Sequence, residues 1–441
     1  SRSKIAIIGG GLAGCEAAWQ MSRLGIPVTL FEMKPNTFSP AHTNVNLAEL
    51  VCSNSFRSND LTSGVGLLKE EMRRTKSLIM DVAARTQVPA GKALAVDRTL
   101  FAEQVTKCLE QCRSLEIKRK EISSLNDPAL TLFSCLVIAA GPLASDSLTH
   151  SLQSVIGEQS LYFYDAIAPI VTADSINWDK VFLGSRYDPQ GKDYVNCPLT
   201  EEQYHLFRQS LLRGEYVALQ SFESEVHFEG CLPIETMAER GEMTLAFGPL
   251  KPVGLVDPRT GKEPFAVVQL RAEDVSMRSF NMVGFQTKLT YLEQTRIFRQ
   301  IPGLEEAEFE RLGSIHRNTF VNSPFVLRQD LEMHRRPGVF LAGQITGVEG
   351  YVESAAVGLW LGKYLAGREH NTSISLPPQE TTLGGLLRFL NTPKKHFQPM
   401  NVNFGLLPPL EQRAKKAKRK ELYAQRALQA CDVWLKTLGP E

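Results

Sequence analysis

The sequence holds no CxxC pair, and its eight histidines fall at no metal-ligand spacing. No zinc site and no dithiol redox motif is therefore expected, and no metal is assigned. Eight cysteines in a chain of 441 residues do not make a disulfide framework. A reducing, cytoplasmic compartment is the expectation. No apolar run reaches the roughly 18 residues that a membrane span needs. No basic stretch or cleavage site precedes the first glycine-rich motif, so no signal peptide is expected. Internal repeats are lacking. The net charge is only +1, so the composition as a whole points to no acidic partner.

What is present is an ordinary globular composition, 43% hydrophobic and 22% charged. The length suits two or three domains with a self-supporting core. The charge is unevenly placed. Residues 391–441 carry ten Lys/Arg against four acids, a net of +6, which leaves −5 for residues 1–390. Such asymmetry points to a polyanion partner.

The chain opens as one βαβ unit. "KIAII" (residues 4–8) is a continuous apolar run, as a strand buried on both faces requires. "GGGLAG" follows, then "CEAAWQMSRLG", a helix closed by Gly25, and "PVTLFEM", a second strand. Gly9-x-Gly11-x-x-Gly14 thus stands between strand and helix, with Glu32 ending the next strand, 21 residues after Gly11. This is the context a dinucleotide fingerprint needs. Gly9 allows the tight turn, Gly11 the approach of a pyrophosphate, and Gly14 close helix packing. The amides at Leu12 and Ala13 open the helix towards the phosphates. Glu32 would accept from a ribose.

Residues 39–60 read as an irregular polar loop, and residues 67–85 as one helix, basic in its middle through Lys69, Arg73, Arg74 and Lys76. "LFSCLVIAAGP" (residues 132–142) is another buried strand. From about residue 163 the alternation of aromatic and β-branched residues predicts antiparallel strands. "VFLAGQITGVEGYVESAAVGLWLG" then restores strand, Gly-rich loop and helix. Such a late element fits the second half of a two-part FAD domain rather than an NAD domain. Gly343, Gln344 and Gly347 would lie at the flavin, with a helix starting near Gly347 aimed at it. Gln344, a neutral amide, adds no charge there to repel a reduced flavin. The expected fold is α/β: a two-part Rossmann-like, glutathione-reductase-like FAD-binding domain (1–160 and 328–390). An α+β domain (161–327) is inserted, and a basic helical tail (391–441) follows, its helix starting at about Leu410.

"GGGLAGCEAAWQ", "VCSNSFRS", "YVNCPLT", "FEGCLPIE" and "GVFLAGQITGVEGYVESAA" together resemble the folate- and FAD-dependent tRNA uracil-5-methyltransferases, the TrmFO family. The longer GidA/MnmG wobble-uridine proteins share the glycine boxes. The chain ends about ninety residues after its second box, which favours TrmFO. The resemblance implies C5-methylation of uridine 54 in the tRNA T-loop. The carbon would come from 5,10-methylenetetrahydrofolate and the electrons from FADH2, itself reduced by NAD(P)H. Chemistry agrees: uracil C5 is a poor nucleophile until a thiolate adds at C6, and a covalent intermediate splits one hard step into easier ones.

Five cysteines (Cys15, Cys108, Cys112, Cys135, Cys431) fall in helix or strand patterns and read as structural. Cys52, Cys197 and Cys231 fall in loop-like contexts. Cys231 has Glu229, Glu235 and Glu239 around it, and nearby carboxylates should raise a thiol's pKa. On its own it reads as a core residue; the resemblance makes it the uracil nucleophile. The resemblance also makes Cys52 a second functional cysteine near the flavin, as base or as guard of the flavin adduct. Cys197 suits either role. His42 and residues 44–46 lie in the loop before Cys52, near the flavin or merely polar. "RAKKAKRK" offers Arg413, Lys415, Lys416, Lys418, Arg419 and Lys420 to tRNA phosphates, and the basic face of residues 67–85 is a further candidate. A monomer is expected. The competing readings are wobble-uridine modification, a small-molecule flavin oxidoreductase, which leaves the tail and loop thiols unexplained, and a non-catalytic FAD scaffold, which leaves Cys231 without a role.

Overall fold

The computed structural model describes residues 4–157, 160–217, 232–395, 397–411 and 414–438, with backbone alone for 160–165 and Lys416. Cys231 and Arg413 lie outside the described residues.

A five-stranded parallel sheet forms the base, in the order Val339–Leu341, Cys135–Ile138, Ile5–Ile8, Val28–Glu32, Leu115–Arg119. Every residue of Ile5–Ile8 and Cys135–Ile138 is buried, because helices cover both faces of such a sheet. Its edge strand Val339–Leu341 arrives some two hundred residues after Cys135–Ile138. The sheet is therefore assembled from two distant stretches of chain.

Two helices lock these stretches together. Leu12–Arg23 packs along Tyr351–Glu369, a 19-residue helix buried along most of its length. The axes approach closely because Gly358 and Gly362 face Ala13 and Ala17. A Cβ on Gly358 would overlap the backbone of Ala13, and one on Gly362 would press on Ala17. Glycine inside a helix costs about 1 kcal/mol relative to alanine; here the close contact offsets it.

Between the two halves lies a six-stranded antiparallel sheet, ordered Phe182–Gly184, Tyr194–Leu199, Ala266–Ala272, Ser279–Met282, Ile170–Thr172, Phe309–Arg311. It has its own core, including Cys197, Tyr204 and Phe285. The chain reaches and leaves it through an antiparallel ribbon, Ser160–Ile167 with Ser314–Val321.

Three expectations need correction. The polar stretch 39–60 is not wholly irregular: Ser55–Ser58 joins a small antiparallel sheet with Ala93–Val96 and Gln87–Val88. The helix expected over 67–85 is two helices, Gly64–Arg74 and Leu78–Arg85. Lys76 takes a left-handed conformation between them, and the Ser77 hydroxyl caps the second by accepting from the Met80 N–H. Nor is this stretch a free basic face. Lys69 is buried, donates to the carbonyls of Phe56 and Arg57, and is pushed down to about 7 by burial. Arg74 forks onto Asp432 at 2.8 and 2.9 Å and also meets Glu70.

The tail helix spans Lys416–Thr437, starting six residues later than expected. It is docked on the body. Ala424 and Ala427 pack on Leu67, and Trp434 joins the main core while its indole N–H donates to the Ser375 carbonyl at 3.2 Å. Among the described residues no helix is long and apolar enough to cross a membrane.

Glu71 links these parts. It is fully buried and accepts the N–H groups of Thr382 (2.8 Å) and Leu383 (2.9 Å) at the start of the helix Thr382–Asn391. Burial pushes its carboxyl up to about 7, against the pull of those N–H groups. As pH rises the unfolded chain loses this proton first, so stability should fall through the window from about 4.5 to about 7 and then level off. Glu71→Gln should flatten that decline: the Tm loss between about pH 5 and about pH 8, followed by calorimetry, should shrink by roughly 2 °C or more. An unchanged loss would mean that Glu71 ionises in the fold as readily as in the open chain.

Candidate active site

The first glycine loop separates what the fold requires from what it leaves open. Gly9 adopts φ 109°, and a Cβ there would overlap the Ala139 carbonyl. A Cβ on Gly14 would overlap the Gly9 carbonyl. Both glycines are therefore demanded by the chain itself. Gly11 differs: a Cβ there would meet nothing within 4 Å. Internal packing does not explain it, whereas a ligand brought against the backbone would. Gly11 is also the N-cap of Leu12–Arg23 and offers no side-chain cap. The first amides of the helix, at Leu12, Ala13 and Gly14, thus open beside an empty approach, the arrangement that accepts a phosphate.

Glu32 is buried and braces this loop. Its Oε2 accepts the Gly10 N–H and its Oε1 the Lys34 N–H, both at 2.9 Å. Each oxygen keeps a further lone pair for a sugar hydroxyl. Its structural duty was not evident from sequence. The cleft above is lined by Gly9, Gly11, Glu32, Lys34, His42 and Ser145, among others. Lys34 donates to the Asn46 carbonyl and pairs with Glu49 at 3.2 Å. Asn44 accepts the Asn46 N–H at 2.9 Å, so the asparagines shape the loop. His42 bonds Ser39 and is held below its usual range by burial first and by Lys34 second.

The second glycine box lies against the first. A Cβ on Gly343 would press on the Ala13 methyl, and one on Gly347 on the Phe397 ring. Packing alone accounts for both residues, so any cofactor contact there is through backbone. The long helix does not begin near Gly347, as expected. Gln344–Thr346 forms a single 3-10 turn, Gly347 closes it in the left-handed region, and the helix starts at Tyr351 after Gly350. Gly350 caps it without a side chain. Gln344 is not an isolated neutral amide either. Its Nε2 donates to Glu349 at 2.7 Å, which places a carboxylate at this end of the site.

Cys52 sits at that helix start. The Tyr351 hydroxyl accepts the N–H groups of Cys52 and Ser53, both at 3.0 Å, and lies 3.1 Å from the Cys52 sulfur. Arg98 donates to the carbonyls of Leu50 (2.7 Å) and Val51 (3.3 Å) and forks onto Glu273 at 2.9 and 3.0 Å. Arg311 donates to the Val51 carbonyl at 2.9 Å. Arg271 holds Ser53 and Asn54 at 3.0 and 2.9 Å. These residues come from four separate regions. Tyr351 was visible as the first bulky residue of "GYVESAA"; nothing in the sequence marks the three arginines.

The other thiols divide cleanly. Cys197 is not in a loop: it lies within the strand Tyr194–Leu199, fully buried, and burial pushes its thiol far up. Its role is packing. Cys15 is buried and likewise raised, and burial pushes Cys135 and Cys431 up to about 12. Cys108 lies in the last turn of the helix Arg98–Glu110, and Cys112 lies just beyond it. Four residues after Cys231 in the sequence, Glu235 is fully buried in the first turn of the helix Ile234–Glu239. It accepts from the Thr287 hydroxyl and the Lys288 N–H, and burial pushes it up to about 7. Burial thus makes this acid less fully charged at neutral pH than an ordinary glutamate, which weakens part of the sequence argument against a thiolate in that stretch.

The tail helix bears exposed Lys418 and Arg419 and a half-buried Lys420, with exposed Lys415 just before it at its N-cap. The Asp60 carboxyl is held down mainly by Thr62, and also feels Lys92 and Lys420. The first turns of the tail thus stand by the loop that follows the strand Ser55–Ser58. Among the described residues no three acids, histidines or cysteines group as metal ligands.

A family model described as "Glucose inhibited division protein A" matches residues 4–373. A protein of Oleidesulfovibrio alaskensis is 61% identical over 429 residues, covering 97% of this chain and 96% of that one. One of Geobacter sulfurreducens is 57% identical over 436 residues, covering 98% and 99%. Both are named methylenetetrahydrofolate–tRNA-(uracil-5-)-methyltransferase TrmFO. Among solved structures, GidA of Aquifex aeolicus aligns with a TM-score of 0.70 at 16% identity, over 100% of this chain and 74% of that one. That likeness is one of fold. The chain belongs to the glucose inhibited division protein A family and, within it, to the TrmFO methyltransferases.

Proposed function

We propose that this chain methylates C5 of uridine 54 in the T-loop of tRNA, with carbon from 5,10-methylenetetrahydrofolate and electrons from FADH2 regenerated by NAD(P)H. The observation that carries the reading is the packing of two helices with uncapped starts, Leu12–Arg23 and Tyr351–Glu369, with a loop thiol held at the start of the second. Bound FAD would supply the hydride that turns the transferred methylene into a methyl. Gly9, Gly11, Gly14 and the amides at Leu12 and Ala13 would cradle its pyrophosphate, Glu32 its ribose, and the backbone of Gly343, Gln344 and Gly347 its far end. The open approach at Gly11 supports that fit.

In this reading Cys231 adds to uracil C6 as the thiolate, and Cys52 serves beside the flavin. Residues 1–160 and 328–390 form the cofactor domain, 161–327 the substrate domain, and 391–441 the basic segment. Lys415, Lys416, Lys418, Arg419, Lys420 and Arg413 meet tRNA phosphates. We read the protein as a cytoplasmic monomer.

Incubated with undermodified tRNA, methylenetetrahydrofolate and NAD(P)H, the purified protein should form 5-methyluridine in the T-loop. Modification of the anticodon instead would move the assignment to wobble chemistry. Cys231→Ala should abolish the product and keep the yellow colour; full activity there would return Cys231 to the core.

Gly11→Ala should leave the Tm of the FAD-free protein nearly unchanged, since a Cβ there meets nothing within 4 Å, yet weaken FAD binding by about tenfold or more. Equal FAD affinity in that variant would remove the phosphate from this loop. Replacing Lys418, Arg419 and Lys420 by Ala should lessen the slope of log affinity for tRNA against log salt by about two to three. An unaltered slope would place the RNA on another face.

A further inference from the structure

The Tyr351 hydroxyl has an unusual set of neighbours. A phenol oxygen has two lone pairs and one proton. Here the N–H groups of Cys52 and Ser53, both at 3.0 Å, take the two lone pairs. Only the proton remains to be shared, between the Ser53 carbonyl at 2.9 Å and the Cys52 sulfur at 3.1 Å. A thiol cannot donate to an oxygen whose acceptor sites are filled. Where the phenol proton is shared with Cys52, the sulfur is therefore its acceptor. A thiolate accepts such a bond far better than a thiol, so the geometry favours the charged form.

The charges around the loop act in the same direction. From the helix Arg98–Glu110 comes Arg98, matched by Glu273 at 2.9 Å. Arg271, with Tyr194 beside it, stands behind Ser53 and Asn54. From the strand Phe309–Arg311 comes Arg311, and from the ribbon His316, which burial and Arg311 keep neutral. Arg57 and Glu353 pair with each other at the same helix start. Three guanidinium groups thus face this loop against one carboxylate, Glu273, which Arg98 already holds. Among the described residues no carboxylate pairs with Arg311, and its buried Nε has no hydrogen-bond partner. The helix Tyr351–Glu369 adds the positive end of its dipole.

We propose that Tyr351 is a positioning residue that holds the Cys52 sulfur as a hydrogen-bonded thiolate, with Arg311 supplying the unmatched positive charge. The proposal rests on the reading of Cys52 as a functional thiol, but the resting charge of the sulfur can be measured without turnover. Burial keeps the phenol itself protonated, well above the ordinary tyrosine range, so it remains a donor. The arrangement makes the reactive form of Cys52 the resting form before any substrate binds, which a buried thiol such as Cys197 cannot match.

The test is the pH dependence of iodoacetamide alkylation at Cys52, followed by peptide mass spectrometry on the holoenzyme. The wild-type midpoint should lie at least about one unit below the usual thiol value of about 8.5. Tyr351→Phe should raise it by about one unit or more, a tenfold loss of thiolate below the midpoint. Arg311→Gln should raise it too, and Arg311→Lys should restore it. A merely structural tyrosine would change Tm without moving the midpoint. If Tyr351→Phe does not fold, Arg311→Gln decides. A wild-type midpoint at or above the usual value, or one unmoved in every folded variant, overturns the proposal. The underlying reading fails separately, if Cys52→Ala methylates tRNA at the full rate.

Discussion

The structure depends on one close contact, the crossing of Leu12–Arg23 with Tyr351–Glu369. Glycines at 358 and 362 let the two helix backbones meet where any side chain would overlap Ala13 or press on Ala17. The contact joins segments some 340 residues apart in sequence. It brings the two glycine boxes together, with Gly343 against Ala13, and sets both uncapped helix starts above one sheet. A modest shift of either helix would part the open approach at Gly11 from the loop that carries Cys52. Interiors packed at crystal density do not absorb such shifts smoothly.

On that frame, the polar groups around Cys52 act as a unit. Tyr351 orders two consecutive amides, Arg98 and Arg311 share the Val51 carbonyl, and Arg271 fixes the next two residues. The loop is held mainly by side chains that reach it from elsewhere, since its own sequence is short and polar. The same logic governs the buried acids. Glu16, Glu71 and Glu235 each hold backbone N–H groups at helix starts or in adjoining loops, and burial raises each of them. These carboxyls give specific joints between elements, at the cost of a stability that varies with pH.

The basic tail shows how charge and packing divide one helix. Its apolar face belongs to the core through Ala427, Cys431 and Trp434. Its exposed first turns carry Lys415, Lys418 and Arg419, at the helix end where the dipole disfavours cations. Anchoring the apolar face fixes where those charges stand, beside the loop after Ser55–Ser58. A free tail would hold no such position.

The sequence by itself determined the βαβ unit, the place of Gly9, Gly14 and Glu32, the antiparallel middle and the late return to the parallel sheet. All of these follow from local periodicity and from glycines at fixed spacing, which neighbouring residues carry without help. It did not reveal that the helix over 67–85 breaks at the left-handed Lys76, that Lys69 is buried, that Cys197 lies within a strand, or that the late helix waits for Tyr351. In each case a partner distant in sequence, or a left-handed residue, overrides the local pattern. The surroundings of Cys52 are the clearest instance. Arg98, Arg271, Arg311 and Tyr351 are unremarkable where they stand in the chain, and only the tertiary structure makes them neighbours, because a hydrogen bond is set by distance in space and not along the sequence.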